Sequence, residues 1–166
     1  MNEWVDLMRS GLKDEFGTKP WIGALATVDQ SLRPRVRSIV CRKVEDDGNV
    51  WVTCDSRSAK IRDIATHPFG EVVFWLPERR EQFRVAGRLE HFAPDDPRTS
   101  MAWQNLSDAT RATFFWPDSR GETIPQTFAL LVLSPDRAEH LDLNPVPHYR
   151  RCWEAASGWT AERIDP

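Results

Sequence analysis

The chain has 166 residues, 40% of them hydrophobic, which is enough for one well-filled core and short for two. Its 22 basic and 25 acidic residues leave a formal charge of −3, too balanced for wrapping nucleic acid or an acidic membrane by bulk electrostatics. Cys41, Cys54 and Cys152 follow no CxxC or Cys/His ligand spacing, so neither a zinc site nor a disulfide framework is expected, and a reducing cytoplasm fits best.

Trp4, Val5, Leu7, Met8, Leu12 and Phe16 recur at three- and four-residue steps among Asp6, Arg9, Lys13 and Asp14, which predicts an amphipathic helix closed by Gly17 and Pro20. This segment lacks the continuous apolar core of a signal peptide, and no stretch approaches the roughly 20 apolar residues needed to span a bilayer. A soluble protein is expected. Apolar runs at Trp21–Val28, Arg35–Lys43, Val50–Thr53, Glu71–Leu76 and Gln82–Phe92 predict strands. Asp46-Asp47-Gly48-Asn49 and Pro77-Glu78-Arg79-Arg80 read as hairpin turns. In the last run Phe83, Val85 and Leu89 share one face and Gln82, Arg84 and Arg88 the other, the period of a half-buried antiparallel strand.

Two segments break the β pattern. Ser58–Thr66 places Ile61, Ile64 and Ala65 on one helical face, with Ser58 as N-cap and His67-Pro68 as the stop. Asp95–Phe115 reads as one or two helices interrupted near Leu106-Ser107-Asp108, followed by a loop over Trp116–Gln126. Strands resume at Phe128–Leu133 and Ala138–Leu143, joined by a turn at Ser134-Pro135-Asp136, and at Tyr149–Glu154 and Trp159–Ile164, joined at Ser157-Gly158. About nine strands against a few helices predict a mainly β fold, a largely antiparallel barrel with helical insertions, in one domain over residues 1–166.

Three clusters bear on chemistry. Arg33-Pro34-Arg35-Val36-Arg37-Ser38-Ile39-Val40-Cys41-Arg42-Lys43 is unusually cationic for an acidic protein. It is either a strand beside an anion or an exposed strand whose arginines pair with neighbouring acids. Alternation sets Arg35 and Arg37 against Arg42, so one ligand meets both Arg37 and Arg42 only at a strand end or bulge. Asp55-Ser56-Arg57-Ser58-Ala59-Lys60 puts cations at a helix start, where the dipole favours negative groups; a bound phosphate would resolve the conflict, and ordinary solvation is the alternative. Gln82 opens a strand whose Gly87 allows close backbone approach, and its amide suits the edge of a flavin or pyrimidine, although most strand-face glutamines are simply solvated. His67, His91, His140 and His148 lack metal-ligand spacing, and no nucleophile context is present. Most of the eight tryptophans fit a core or interface, while Trp103, Trp116 or Trp153 could flank a planar ligand.

In this order the clusters resemble the pyridoxamine 5′-phosphate oxidase-like FMN-binding split-barrel family, in particular its Alr4036-type branch. The resemblance is carried by Arg33 to Arg42, Asp55 to Lys60, Phe74-Trp75, Gln82 to Gly87, Phe114 to Pro117, Pro147 to Trp153 and Arg163 to Pro166. It implies an antiparallel split barrel, FMN as cofactor and a homodimer. By the same resemblance Arg37 and Lys60 bind the FMN phosphate, with Arg57 and Ser58 beside them. Ser38, Ile39 and Val40 offer backbone groups to the flavin, Arg42 falls where family oxidases have a lysine near flavin and substrate, and Gln82 contacts the ring. Trp153 and the pair Arg150-Arg151, with Arg151 taken as the cofactor-side member, would come from the partner subunit.

The family's true oxidases bind pyridoxine phosphate through an Arg-x-His segment, whereas the corresponding stretch here reads Pro147-His148-Tyr149-Arg150-Arg151. The resemblance therefore implies a flavoprotein, an oxidoreductase acting on an unidentified small molecule, better than it implies a vitamin B6 oxidase. Alternatives are a non-catalytic flavin-binding protein, a true pyridoxine or pyridoxamine phosphate oxidase and, disfavoured by charge, a single-strand-binding barrel.

Overall fold

The N-terminal amphipathic segment forms helix α1 (Glu3–Phe16), which buries Trp4, Val5, Met8 and Leu12 against a β-barrel. Each such side chain contributes roughly 1.5–3 kcal/mol through burial. In this computed structural model residues 2–115 and 123–165 are described. The strands are β1 (Trp21–Val28), β2 (Pro34–Val44), β3 (Val50–Asp55), β4 (Phe69–Leu76), β5 (Glu81–Phe92), β6 (Phe128–Asp142), β7 (Tyr149–Glu154) and β8 (Glu162–Ile164). Helix α2 (Ala59–Thr66) lies between β3 and β4, while α3 (Pro97–Gln104), α4 (Asp108–Ala112) and a 3-10 turn at Thr113–Phe115 lie between β5 and β6.

All strand pairings are antiparallel, in the order β3-β2-β1-β4-β5-β6-β7-β8, and an added β3–β6 pairing closes the first six strands into a barrel. The mainly β split-barrel expectation holds. Leu25, Val72, Phe74, Phe83, Val85 and Leu131 fill the interior. Helix α1 covers one end, where Arg9 Nε donates to Val44 O at 2.9 Å and Gly11 packs on Leu76 and Phe83. At the other end Asp63 of α2 accepts from Thr27 Oγ1. A second apolar cluster, including Trp51, Ala102, Leu106 and Phe128, packs α3 on the outer wall.

Helix ends follow local chemistry. Asp96 caps α3 by accepting from Arg98 N, with Pro97 in the first turn, and Ser107 caps α4, so the expected interruption near Leu106-Ser107-Asp108 is real. Two strand expectations are corrected. Ser134-Pro135-Asp136 is not a turn, because Phe128–Asp142 runs as one strand with a bulge opposite Ala86 and Gly87. Gly87 makes this bend possible: a Cβ there would stand 2.1 Å from Ser134 O. The bend lets β6 pair with β3 through its first half and with β7 through its second. The last strand is also shorter than Trp159–Ile164, since Trp159 has a φ of 62° and packs beside Trp4. Of the expected loop over Trp116–Gln126, residues 116–122 lie outside the described residues, as does the ring candidate Trp116.

Candidate functional site

Strand β2 divides its side chains between the two faces of the barrel wall. Ile39 and Cys41 are buried inward, whereas Ser38 and Val40 point out, Val40 opposite Ile22 of β1. Outside this wall is a cavity of about 290 Å³, lined by Ile22, Ser38, Ile39, Val40, Thr53, Cys54, Asp55, Lys60 and Phe114. Four of the expected residues, Ser38, Ile39, Val40 and Lys60, thus meet in one place.

The cationic end of the cavity is built by the start of α2. Ser58 occupies the N-cap position but makes no side-chain cap; its Oγ accepts from Lys60 Nζ at 3.0 Å. Ile61 N already donates to Ser58 O at 3.1 Å, so the Ala59 and Lys60 N–H groups are the first-turn donors without a side-chain cap among the described residues. Among the described residues Lys60 has no ion-pair partner within 4.0 Å; hydrogen bonds from Arg57, with a lesser contribution from the Lys60 charge, hold the Asp55 carboxyl below its usual range. Burial pushes the Cys54 thiol up and leaves it protonated.

The other arginines are arranged differently. Arg37 turns to the barrel rim, where its Nη2 meets Asp63 Oδ2 at 3.0 Å and its Nη1 donates to Thr27 Oγ1 at 2.7 Å. It lines a neighbouring open hollow with Arg35, Ala59 and Arg62, so the first turn of α2 separates it from the Lys60 cavity. Arg35 pairs with Asp29, and Arg57 folds back on Asp55 at 2.6 Å. Within β2, Arg35 and Arg37 thus pair with neighbouring acids, while Arg57 pairs with an acid of its own segment. Arg42 is the exception: it sits at the β2–β3 bulge between Cys41 and Lys43, and its Nε donates to Thr53 Oγ1 at 3.0 Å. Burial lowers its pKa, and among the described residues no carboxylate pairs with it.

The chain does not bring Gln82 or the C-terminal residues to this cavity. Gln82 lies on β5, three strand spacings from β2, or roughly 14 Å around a curved wall. Cross-strand pairing sets Gln82, Leu141 and Arg150 in one row. Arg151 belongs to the opposite face with buried His140; it reaches Glu3 of α1 at 2.7 Å and stacks near Trp153. Strand alternation thus makes Arg150 the member of the pair that shares a face with Gln82. Trp153 is 1% exposed inside its own barrel, so its ring is not presented to a ligand outside it. Trp103 likewise packs edge-on against Phe128.

Thr53 and Ile22 line the cavity without having been singled out, Phe114 was named only among the carriers of the resemblance, and Thr27 and Asp63 were not identified as partners of Arg37. Apolar Ile22 and Phe114 look like any core residue until the fold is known. Among the described residues no group of three or more His, Cys, Asp or Glu is placed to hold a metal, and no helix is long and apolar enough to cross a membrane.

An outer wall of small and apolar groups, ending in a lysine with no ion pair among the described residues and a helix start without a side-chain cap, suits a planar ring that carries a phosphate. Comparison with known proteins agrees. Residues 1–93 match the family described as pyridoxamine 5′-phosphate oxidase, FMN-binding domain. A crystal structure of a pyridoxamine 5′-phosphate oxidase-related, FMN binding protein from Nostoc punctiforme is 31% identical with a TM-score of 0.88, covering 100% of this chain and 98% of that one. Pyridoxine/pyridoxamine 5′-phosphate oxidase 2 of Arabidopsis thaliana is 25% identical over 170 residues, covering 86% of this chain and 85% of its own length. The pyridoxine/pyridoxamine 5′-phosphate oxidase of Deinococcus deserti is 32% identical over 118 residues, and the match spans 52% of that protein. The chain belongs to the pyridoxamine 5′-phosphate oxidase family and carries its FMN-binding domain.

Proposed function

We propose that the chain is an FMN-dependent oxidoreductase of one domain, acting as a cytoplasmic homodimer on a small molecule other than pyridoxine phosphate. The observation that carries the reading is the cavity in which Ser38, Val40 and Lys60 converge. In it, Lys60, Ser58 and the first-turn N–H groups of α2 take the phosphate, and the Ser38–Val40 segment lies along the flavin. Arg37, fixed by Asp63, adds positive potential from the adjoining hollow, as does Arg57 from its pair with Asp55. Arg42, a partly buried cation without a carboxylate, favours negative charge on the ring system or on a substrate beside it.

When bound, FMN supplies hydride and electron transfer, and the protein's part is position and electrostatics. The cavity, about 290 Å³, is at the lower limit for ligand sites, roughly 300–1,000 Å³, so a whole FMN calls for a further wall. A second protomer would provide that wall through Gln82 and Arg150, in keeping with twofold symmetry and two equivalent sites. The three buried, free cysteines are compatible with a reducing compartment. Activity is tested by stopped-flow reduction of FMN-loaded protein with nicotinamide and organic donors. Reduction faster than that of free FMN by at least one donor supports an enzyme; rates equal to free FMN for every donor and acceptor favour a flavin carrier.

A further inference from the structure

We infer that a second cavity, across Arg42 from the cofactor cavity, binds a small apolar monocarboxylate. The inference rests on the proposed FMN site and names the substrate class it would serve. The cavity holds about 280 Å³ between the β2–β3 edge and α3, with Arg42 and Trp51 on one side and Met101, Ala102 and Leu106 on the other. Arg42 borders both spaces: its side chain lines this one, while Thr53, which accepts from its Nε, lines the other.

Among the described residues, Arg42 is the one charged group of this lining without an ion pair. Lys43 also lines the cavity, but Glu45 takes its charge at 2.7 Å, and its Nζ lies 4.8 Å from the Trp51 ring centroid. Among the described residues the only hydrogen bond from the Arg42 side chain goes to the neutral Thr53 hydroxyl. A half-buried guanidinium with its outer fork unused is matched by a carboxylate, which accepts two parallel N–H bonds.

The remaining walls favour hydrocarbon. Trp51 gives a flat surface, Leu106 is buried, and Met101, half exposed at the mouth, adapts to an irregular shape. The volume admits one or two fused rings rather than a long chain. A phosphate dianion is matched less well, because among the described residues Arg42 is the one lining cation without an ion pair. Asn105, the C-cap of α3, spends one of its two amide N–H groups on Met101 O at 3.0 Å.

Calorimetric titration of the full chain, FMN-loaded and FMN-free, with 2-naphthoate, neutral 2-naphthamide and 2-naphthyl phosphate tests the assignment. The expected order has naphthoate roughly tenfold or more tighter than naphthamide, with the phosphate weaker than naphthoate. Arg42→Met should abolish the preference for naphthoate over naphthamide. Met101→Glu, at an exposed position outside the proposed cofactor contacts, should weaken naphthoate severalfold and leave the FMN Kd unchanged. Equal binding of acid and amide, tighter binding of the phosphate, or no binding of naphthoate to either form overturns the proposal. FMN titration of the same samples judges the cofactor site independently, because naphthoate discrimination can be read in FMN-free protein.

Discussion

Arg37 and Asp63, twenty-six residues apart, meet at 3.0 Å at the barrel rim, and Thr27 joins both through one hydroxyl. This triangle ties α2 to β1 and β2, so the helix that carries Ser58 and Lys60 is fixed to the strand that carries Ser38 and Val40. Asp63 is buried and Arg37 half-buried, which makes removal of one partner costly. Asp63→Ala should lower the urea unfolding free energy by about 1–3 kcal/mol. The double variant with Arg37→Met should lose less than the sum of the single variants. Additive losses would show that the pair does not couple helix to barrel.

The bend in β6 gives a second test. A Cβ at position 87 would meet backbone at Ser134 O and Pro135 Cα, at 2.1 and 2.8 Å, and neither yields without moving the strand. Gly87→Ala should therefore destabilise by about 1–3 kcal/mol or more. Gly17→Ala, open to solvent but strained by a φ of 56°, is the comparison without a clash. Equal denaturation midpoints for Gly87→Ala and the parent would contradict the close approach.

His140 stacks on Phe83 at 4.5 Å between ring centroids and faces Glu81 at 3.2 Å. Burial pulls its pKa below 6.5, opposed by the Glu81 hydrogen bond. The folded state then binds fewer protons than the unfolded chain. Stability from the neutral ring is complete above about pH 6.5 and is lost as pH falls towards the lowered value. His140→Phe, which keeps a stacked ring, should show a smaller fall in Tm between about pH 7.5 and 5.5 than the parent protein. An unchanged or larger fall would contradict this origin.

A shared cofactor site makes a stoichiometric prediction. Lys60→Ala and Gln82→Ala homodimers should each bind FMN weakly at both sites. A mixed dimer of the two variants contains one site with both changes and one with neither, so one FMN per dimer should bind with parental affinity. Two equally weakened sites would place Gln82 and Lys60 in the same chain's site and refute the geometry across protomers.

Period and turn chemistry made most of the barrel legible. Alternation in Gln82–Leu89 and the Asp-Gly turn at Asp47-Gly48 report local backbone geometry, and local geometry is what a sequence pattern carries. Ser134-Pro135-Asp136 misled because a proline-containing bulge and a hairpin turn share the same residues, and the difference lies in the distant Gly87. The site was readable where it was continuous along β2 and at the start of α2. Choosing between Arg150 and Arg151 required the β6–β7 register, and the Asp63 partner of Arg37 required the tertiary fold.

The central claim is that the cavity bounded by Ser38, Val40 and Lys60 holds FMN with its phosphate at the start of α2. Equilibrium titration of the parent protein and Lys60→Ala with FMN and riboflavin, followed by flavin fluorescence, tests it most directly. The account predicts that Lys60→Ala weakens FMN by about 1.5–3 kcal/mol, the range of a charge-assisted hydrogen bond, while riboflavin affinity stays near the parental value. Equal losses for the two ligands, or FMN affinity untouched by the substitution, would contradict it.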